Sequence, residues 1–484
     1  MIQLSNKRKE LWAALLSERR IYGQPVPRGE YDRSEFQRDY DRVIFSAAFR
    51  RLQDKTQVFP LSSSDYVRNR LTHSLEASSV GRTLGTLAGK YLVRLGVACE
   101  PDDVATIVAT AALAHDIGNP PFGHSGEAAI QSWAKRTLPS PTTAEPRGPA
   151  GVVFYNRRKA RRPDPMTREE LADFYAFEGN AQSFRTLVRT AAHTRTGGLR
   201  PTVATLGAMA KYPRPASMPN QPISTPISHK KPGYFQNDRS IACRAFRMLG
   251  MVEQSEGIFS RHPLAFLTEA ADDACYTIAD VEDAFKLGIL QFKAVQDVLL
   301  PVAVKDPGFK DMPYLHDAAR LARMRASALA VFVRECSEAF SNSLDEMENG
   351  TLGESLIRRT RVAEEHSQIR LLAKNRVYQN DRVLQIEYAG FSTIGALLDM
   401  FYAALCESKD EAREKKLRGL LPVGLVWRPK VGYSLKSPQD PFGFYLNLMT
   451  SYERLLAVTD YVSGMTDGFA IQLYQRLSGI RLPD

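Results

Sequence analysis

The chain reads as an all-α protein with inserted loops and a helical C-terminal region. Three observations predict that class. Apolar residues recur at helical spacing, as in Leu84, Leu87, Ala88, Tyr91, Leu92 and Leu95 and in Leu267, Ala271, Ala274, Ile278, Val281 and Phe285. Residues 104–114 form an almost wholly apolar run, the mark of a buried helix. Strand alternation is scarce. Residues 382–388 are the best short candidate, and one small hairpin is the most β-structure expected.

In chain order, residues 1–20 carry charges but no continuous apolar stretch, so no signal peptide is expected. Helices follow near 84–95 and 104–114. Two segments break the pattern. Residues 138–168 are rich in Pro, Thr and Arg and contain Arg157-Arg158-Lys159-Ala160-Arg161-Arg162. Residues 212–233 are rich in proline and end near His229-Lys230-Lys231. Loops of that length in a compact domain are usually functional or disordered. Helical spacing resumes over 267–285, 315–340 and 394–405.

Composition narrows the class further. Of 484 residues, 44% are hydrophobic and 24% charged, ordinary for a globular protein and far from a disordered one. No apolar run reaches the roughly 18 residues of a membrane span, so no membrane association is expected. Cys99, Cys243, Cys275, Cys336 and Cys406 are dispersed and odd in number, which suits reduced thiols in a cytoplasm better than a disulfide framework. The net charge of +10 favours anionic partners such as nucleotide phosphates, nucleic acid or acidic surfaces without choosing among them.

The chemistry starts at His115-Asp116, a polar pair at the end of the apolar run. A buried ionisable pair is costly unless it is paired or binds a metal. Imidazole and carboxylate together suit Zn, Fe, Mn or Co. Two ligands are too few for a hydrolytic centre. Three segments offer more: Arg70-Leu71-Thr72-His73-Ser74-Leu75-Glu76 at a helix start; His124 and Glu127, three apart on one helix face; and Asp272, Tyr276 and Asp280 at i, i+4 and i+8 on an otherwise apolar helix. Singly, each has a plainer reading. His73 is as well a structural histidine, His124 with Glu127 an ordinary helix-start pair, and the Asp272 stripe a solvated face. Convergence of all four segments on one point makes a metal-centred hydrolase the better explanation.

These residues resemble the HD-domain phosphohydrolases. The wider text is similar to the bacterial deoxyguanosinetriphosphate triphosphohydrolases and their dNTP-hydrolysing relatives. The matching text runs through Phe49-Arg50-Arg51-Leu52 to Gln57-Val58-Phe59, the Arg70 to Glu76 segment, and His115-Asp116-Ile117-Gly118-Asn119-Pro120-Pro121-Phe122-Gly123-His124. It continues through Glu178-Gly179-Asn180-Ala181-Gln182, Glu269 to Asp280, and Asp460-Tyr461-Val462-Ser463-Gly464-Met465-Thr466-Asp467. It covers about residues 40 to 470.

The resemblance implies an HD-domain helical fold: an N-terminal helical segment (1–40), a metal-dependent core (41–300) with insertions at about 138–168 and 212–233, and a helical C-terminal region (301–484) that completes the pocket and oligomer contacts. It implies hydrolysis of dGTP, with other dNTPs as further substrates, to deoxynucleoside and inorganic tripolyphosphate by metal-activated water attack at the α-phosphorus. His73, His115, Asp116 and Asp272 would hold one divalent metal per subunit, Mn or Mg first and Fe or Co as alternatives. Asp272 is preferred to Asp273 because it alone stands four before Tyr276 and eight before Asp280. His124 and Glu127 would form the catalytic pair. Gln57, Arg70, Asn180, Lys211, Tyr276 and Asp280 would contact the nucleotide, Tyr276 packing on the deoxyribose and Asp280 accepting from the 3′-hydroxyl about 12 Å along the helix from Asp272. A homo-oligomer, hexameric in some relatives, and a single-stranded DNA or nucleotide effector complete the expectation. Two other readings stand beside it: an HD phosphodiesterase or phosphatase acting on another nucleotide, and a nucleic-acid-binding regulatory protein on an HD scaffold.

Overall fold

The computed structural model describes residues 4–23, 33–59, 67–139, 165–190, 197–216, 229–407, 411–422, 425 and 446–481. Helices dominate, in the order α1 (Asn6–Leu15), α2 (Glu35–Ile44), α3 (Ala47–Arg50), α4 (Arg70–Arg94), α5 (Pro101–Ala114), α6 (His124–Thr137), α7 (Arg168–Tyr175), α8 (Gly179–Arg185), α9 (Val203–Met209) and α10 (Arg239–Met248). After a two-stranded antiparallel hairpin, β1 (Glu253–Ser255) and β2 (Ile258–Phe259), come α11 (Pro263–Lys286), α12 (Phe292–Ala303), α13 (Asp317–Asn342), α14 (Leu344–Glu348), α15 (Ala363–Leu372), α16 (Asp381–Tyr402), α17 (Glu411–Gly419), α18 (Ser451–Ser463) and α19 (Asp467–Leu477).

The centre of the molecule is α4 laid along α5, with α11 packed across both. The contact of α4 with α5 is unusually close because α4 presents glycines there. A Cβ on Gly85 would lie 2.7 Å from Ala105 Cα, and one on Gly89 would lie 2.7 Å from Pro101 Cα. Helix α5 is buried on every face from Val104 to Ala114, as its unbroken apolar run predicts. Asn69 caps α4, accepting from the Thr72 amide, and this fixes where the helix begins.

Two large apolar clusters result among the described residues, with two much smaller ones beside them. One gathers α4, α5, α9, α11 and α13, with members from Leu4 to Val383. The other gathers α6, α7, α16, α18 and α19, with members from Phe122 to Ala470. Helix α16 and its continuation to residue 407 are long and apolar enough to cross a membrane by composition. More than half of that stretch is buried, packed on α6, α18 and α19, so it is a core helix.

The strand expected at 382–388 is not found. Those residues are the first two turns of α16, opened by Asn380, which accepts from the Arg382 amide. Val383, Gly390, Ile394, Leu397 and Phe401 are among the buried residues, a helical period visible only over the whole element. The hairpin lies instead at 253–259. Most of the Pro- and Arg-rich 138–168 segment, including the 157–162 basic run, lies outside the described residues, as does 217–228 of the second break.

Candidate active site

The metal-ligand candidates arrive from three helices. His73 sits one turn into α4, His115 closes α5, and Asp272 lies mid-way along α11. His73 Nε2 is 3.1 Å from Asp272 Oδ1, and His115 Nε2 is 3.4 Å from the same oxygen. One ligand atom from each of the three lies within 4.8 Å of the others. His115 Nδ1 donates to the Ala112 carbonyl at 2.6 Å, so Nε2 is the ring nitrogen turned toward the carboxylates and the one that would bind an ion. The donor set, two imidazole nitrogens and a carboxylate oxygen at the edge of a core, fits a divalent ion.

Asp116 stands at the rim of this cluster. Its Oδ1 is 3.3 Å from His115 Nε2 and accepts from Asn119, while its Oδ2 accepts from Arg70. Burial alone would raise its pKa, but Arg70, His115 and His73 hold it well below the usual carboxylate range. Asp272 behaves alike: burial opposes its charge, and Lys211, which donates to its Oδ2, outweighs that. Both carboxylates therefore stay charged, each with a cation at its back. The neighbouring Asp273 is different. Burial and the nearby Glu269 and Asp272 push it up to about 7.

The turn after His115-Asp116 is strained. Phe122, a buried residue, has φ +60° and Gly123 has φ +56°, a left-handed conformation that costs a bulky residue about 1–2 kcal/mol. A Cβ on Gly123 would also lie 2.4 Å from an Arg70 guanidinium nitrogen, so that side chain would have to move. The turn delivers His124 as the first residue of α6, with 82% of its side chain exposed. His124 Nδ1 meets Glu127 Oε2 at 2.7 Å, and Glu127 Oε1 accepts from the Gly179 amide at 2.8 Å. The hydrogen bond and charge of Glu127 raise the His124 pKa, against the nearby cations Lys231 and Arg70. Asn180 is held by Glu178, whose other oxygen accepts from Lys231.

A second polar group lies one and two turns beyond Asp272. Arg370 of α15 sits 6.0 Å from the centre of the Tyr276 ring, and Tyr378 donates to Asp280 Oδ2. Burial pushes Asp280 up to about 7, against the lowering effect of Tyr378. Burial likewise pushes the Tyr276 hydroxyl up to about 12.

The structure thus brings His73, His115 and Asp272 together, sets Asp116, Arg70 and Lys211 around them, and pairs His124 with Glu127. Gln57 follows Thr56, which forms an antiparallel bridge with Asn69 beside Arg70. Gln57 Oε1, Arg70 Nε and His73 Nδ1 are among the buried polar atoms of the described residues that have no hydrogen-bond partner. Sequence reasoning missed Arg370 and Tyr378. They stand about a hundred residues beyond Asp280 with no motif around them. Only the i to i+8 spacing of polar residues on that stretch hints at them.

The HD domain family matches residues 70–147, and the phosphohydrolase-associated domain matches residues 445–476. A deoxyguanosinetriphosphate triphosphohydrolase-like protein of Synechocystis sp. is 38% identical over 97% of this chain and 100% of its own length. One of Listeria innocua is 34% identical over 97% and 99%. The deoxyguanosinetriphosphate triphosphohydrolase of Yersinia enterocolitica is 31% identical over 96% and 97%.

Proposed function

Because the chain belongs to the HD-domain deoxyguanosinetriphosphate triphosphohydrolase-like phosphohydrolases, we propose that it hydrolyses dGTP, with other dNTPs as further substrates, to the deoxynucleoside and inorganic tripolyphosphate. The observation that carries this reading is the convergence of His73, His115 and Asp272 beside the His124–Glu127 pair.

His73, His115 and Asp272 would hold one divalent ion, with Asp116 as fourth ligand; Mn or Mg is the first choice, Fe or Co the alternative. When bound, the ion supplies Lewis acidity that activates water and draws charge from the α-phosphate. Arg70 and Lys211 bind the triphosphate oxygens, Arg70 able to grip two at once.

Breaking the bond between the α-phosphorus and the 5′-oxygen leaves an alkoxide that needs a proton. His124 gives it, and Glu127 orients the ring by holding Nδ1. Tyr276 packs on the deoxyribose, where a 2′-hydroxyl would collide, and Asp280 accepts from the 3′-hydroxyl. Gln57 and Asn180 line the nucleotide's approach.

The same reading has the enzyme in a cytoplasm as a homo-oligomer, with a hexamer as one option, and single-stranded DNA or a nucleotide as candidate effector. The five unpaired cysteines agree with a reducing compartment. Incubating the protein with Mn²⁺ and each of the four dNTPs, plus GTP, tests the activity. Tripolyphosphate from dGTP alone, or from several dNTPs, supports it and sets its breadth. Orthophosphate or pyrophosphate instead would move the chain to the phosphodiesterase or phosphatase reading. If Tyr276→Ala left GTP as poor a substrate as before while dGTP turnover persisted, the steric exclusion of ribose would be wrong.

A further inference from the structure

The segment Asp460 to Asp467 has no place in the chemistry above, yet several of its polar groups reach segments that do. Asp460 accepts from Arg185 at 2.7 and 2.8 Å and from Gln182 at 2.9 Å, both on α8, which also carries Asn180. The Ser463 carbonyl accepts from Lys55 at 2.8 Å, and Lys55 also donates to the Asn119 carbonyl in the turn after Asp116. The Gly464 carbonyl accepts from Arg51 at 2.8 Å.

Asp467 is the most telling. It is buried, 1% exposed, at the first position of α19. Its Oδ1 accepts from the Phe122 amide at 3.0 Å. Its Oδ2 accepts from the Thr56 amide at 3.0 Å and from the Thr56 hydroxyl. Phe122 is the left-handed residue two before His124, and Thr56 is the residue before Gln57. One carboxylate therefore ties together two backbone segments that lie far apart in sequence and both enter the site.

The same turn is pinned from its other side. The Phe122 ring lies against Gly390 of α16, where a Cβ would fall 2.4 Å from the ring. A strained conformation persists only where its surroundings over-determine it, and Asp467 supplies the polar half of that constraint.

We infer that Asp467 is a positioning residue: by fixing the backbones of Phe122 and Thr56 it sets His124 and Gln57 against the nucleotide. This rests on the function proposed above. An acid in the first turn of a helix also has a plainer role, stabilising the helix N-terminus. Asp467→Glu separates the two, since it keeps the charge at the start of α19 but moves the carboxylate by one methylene.

The test uses full-length wild type, Asp467→Glu, Asp467→Asn and Thr56→Val. It measures tripolyphosphate release at varied dGTP, amide hydrogen exchange, Mn²⁺ binding by calorimetry and thermal melting. For Asp467→Glu the expectation is a kcat lower by about 10- to 100-fold, the scale of an ångström-size misplacement. Exchange rises at Phe122 and Thr56 and stays at wild-type level elsewhere, with Mn²⁺ affinity and melting temperature retained. Asp467→Asn follows the same pattern with some loss of melting temperature. Thr56→Val, which removes one bond, loses less and loses it mainly in KM, because Gln57 is its neighbour.

Wild-type kcat and exchange in Asp467→Glu would reduce Asp467 to a helix stabiliser and overturn the inference. So would exchange that rises evenly through the molecule. If wild type releases no tripolyphosphate from any dNTP, the proposed activity has failed on its own, and the exchange at Phe122 and Thr56 still decides whether Asp467 holds the two segments.

Discussion

The two ends of the candidate site are built differently. At the metal end, His73, His115 and Asp272 come from three helices that pack directly on one another, and the imidazoles share a single carboxylate oxygen. At the end proposed to hold the sugar, Tyr276 and Asp280 stay on α11 but meet Arg370 and Tyr378 from chain nearly a hundred residues further on. The metal end lies where the start of α4 meets the end of α5 and the middle of α11. The sugar end is assembled by a later segment, through a cation near a ring and one shared hydroxyl proton. The first geometry suits an invariant ion. The second suits a pocket whose selectivity is tuned without disturbing the chemistry.

Breaking the metal end should cost most. Asp272→Ala removes the oxygen both imidazoles face and frees Lys211 to repel a cation. Calorimetry should show no Mn²⁺ binding, and turnover should fall to background, a loss of about 10³-fold or more. If Asp272→Ala bound Mn²⁺ normally, the ligand assignment would be wrong.

His124→Ala should lower kcat by about 10²- to 10⁴-fold, the range for loss of general acid–base catalysis, while Mn²⁺ binding stays intact. Equal loss of metal and activity would place His124 in the metal shell instead.

Glu127→Gln sharpens the same point through pH. Glu127 raises the His124 pKa, so the imidazolium persists to higher pH than an ordinary histidine. Any stability the pair contributes is full below the ordinary histidine pKa and is lost as pH rises through the raised value. As a proton donor, His124 should fail on the alkaline side. The variant removes the carboxylate charge, so the alkaline limb of the pH–rate profile should move to lower pH. An unmoved limb would show that His124 does not give the proton.

The sugar end should yield the smallest effect. Tyr378→Phe removes one hydrogen bond to Asp280, worth about 0.5–1.5 kcal/mol. It should raise the KM for dGTP by roughly 2- to 10-fold, leaving Mn²⁺ affinity and kcat alone. A large drop in kcat would mean that the two ends are not separable.

This contrast also explains what could be read in the sequence. The metal end is written in short local patterns: an apolar run ending in His115-Asp116, a capped helix start before His73, and a polar stripe from Asp272. Each is a local consequence of burying a few polar groups at the edge of a core, and α4, α5, α6 and α11 fall where that text puts them. The sugar end needs the fold. Nothing near Arg370 or Tyr378 says that they face α11, because their partners are set by how α15 packs. The error at 382–388 has the same origin. Its first residues alternate like a strand, and only the later Ile394, Leu397 and Phe401, buried against α18 and α19, show the helical period.

The most direct measurement is to turn over dGTP with Mn²⁺ in heavy-oxygen water and locate the label by mass spectrometry and phosphorus NMR. Water attack at the α-phosphorus puts one heavy oxygen into tripolyphosphate and none into deoxyguanosine. Label in the deoxyguanosine hydroxyl, or release of labelled orthophosphate or pyrophosphate in place of tripolyphosphate, would contradict the chemistry assigned to this centre.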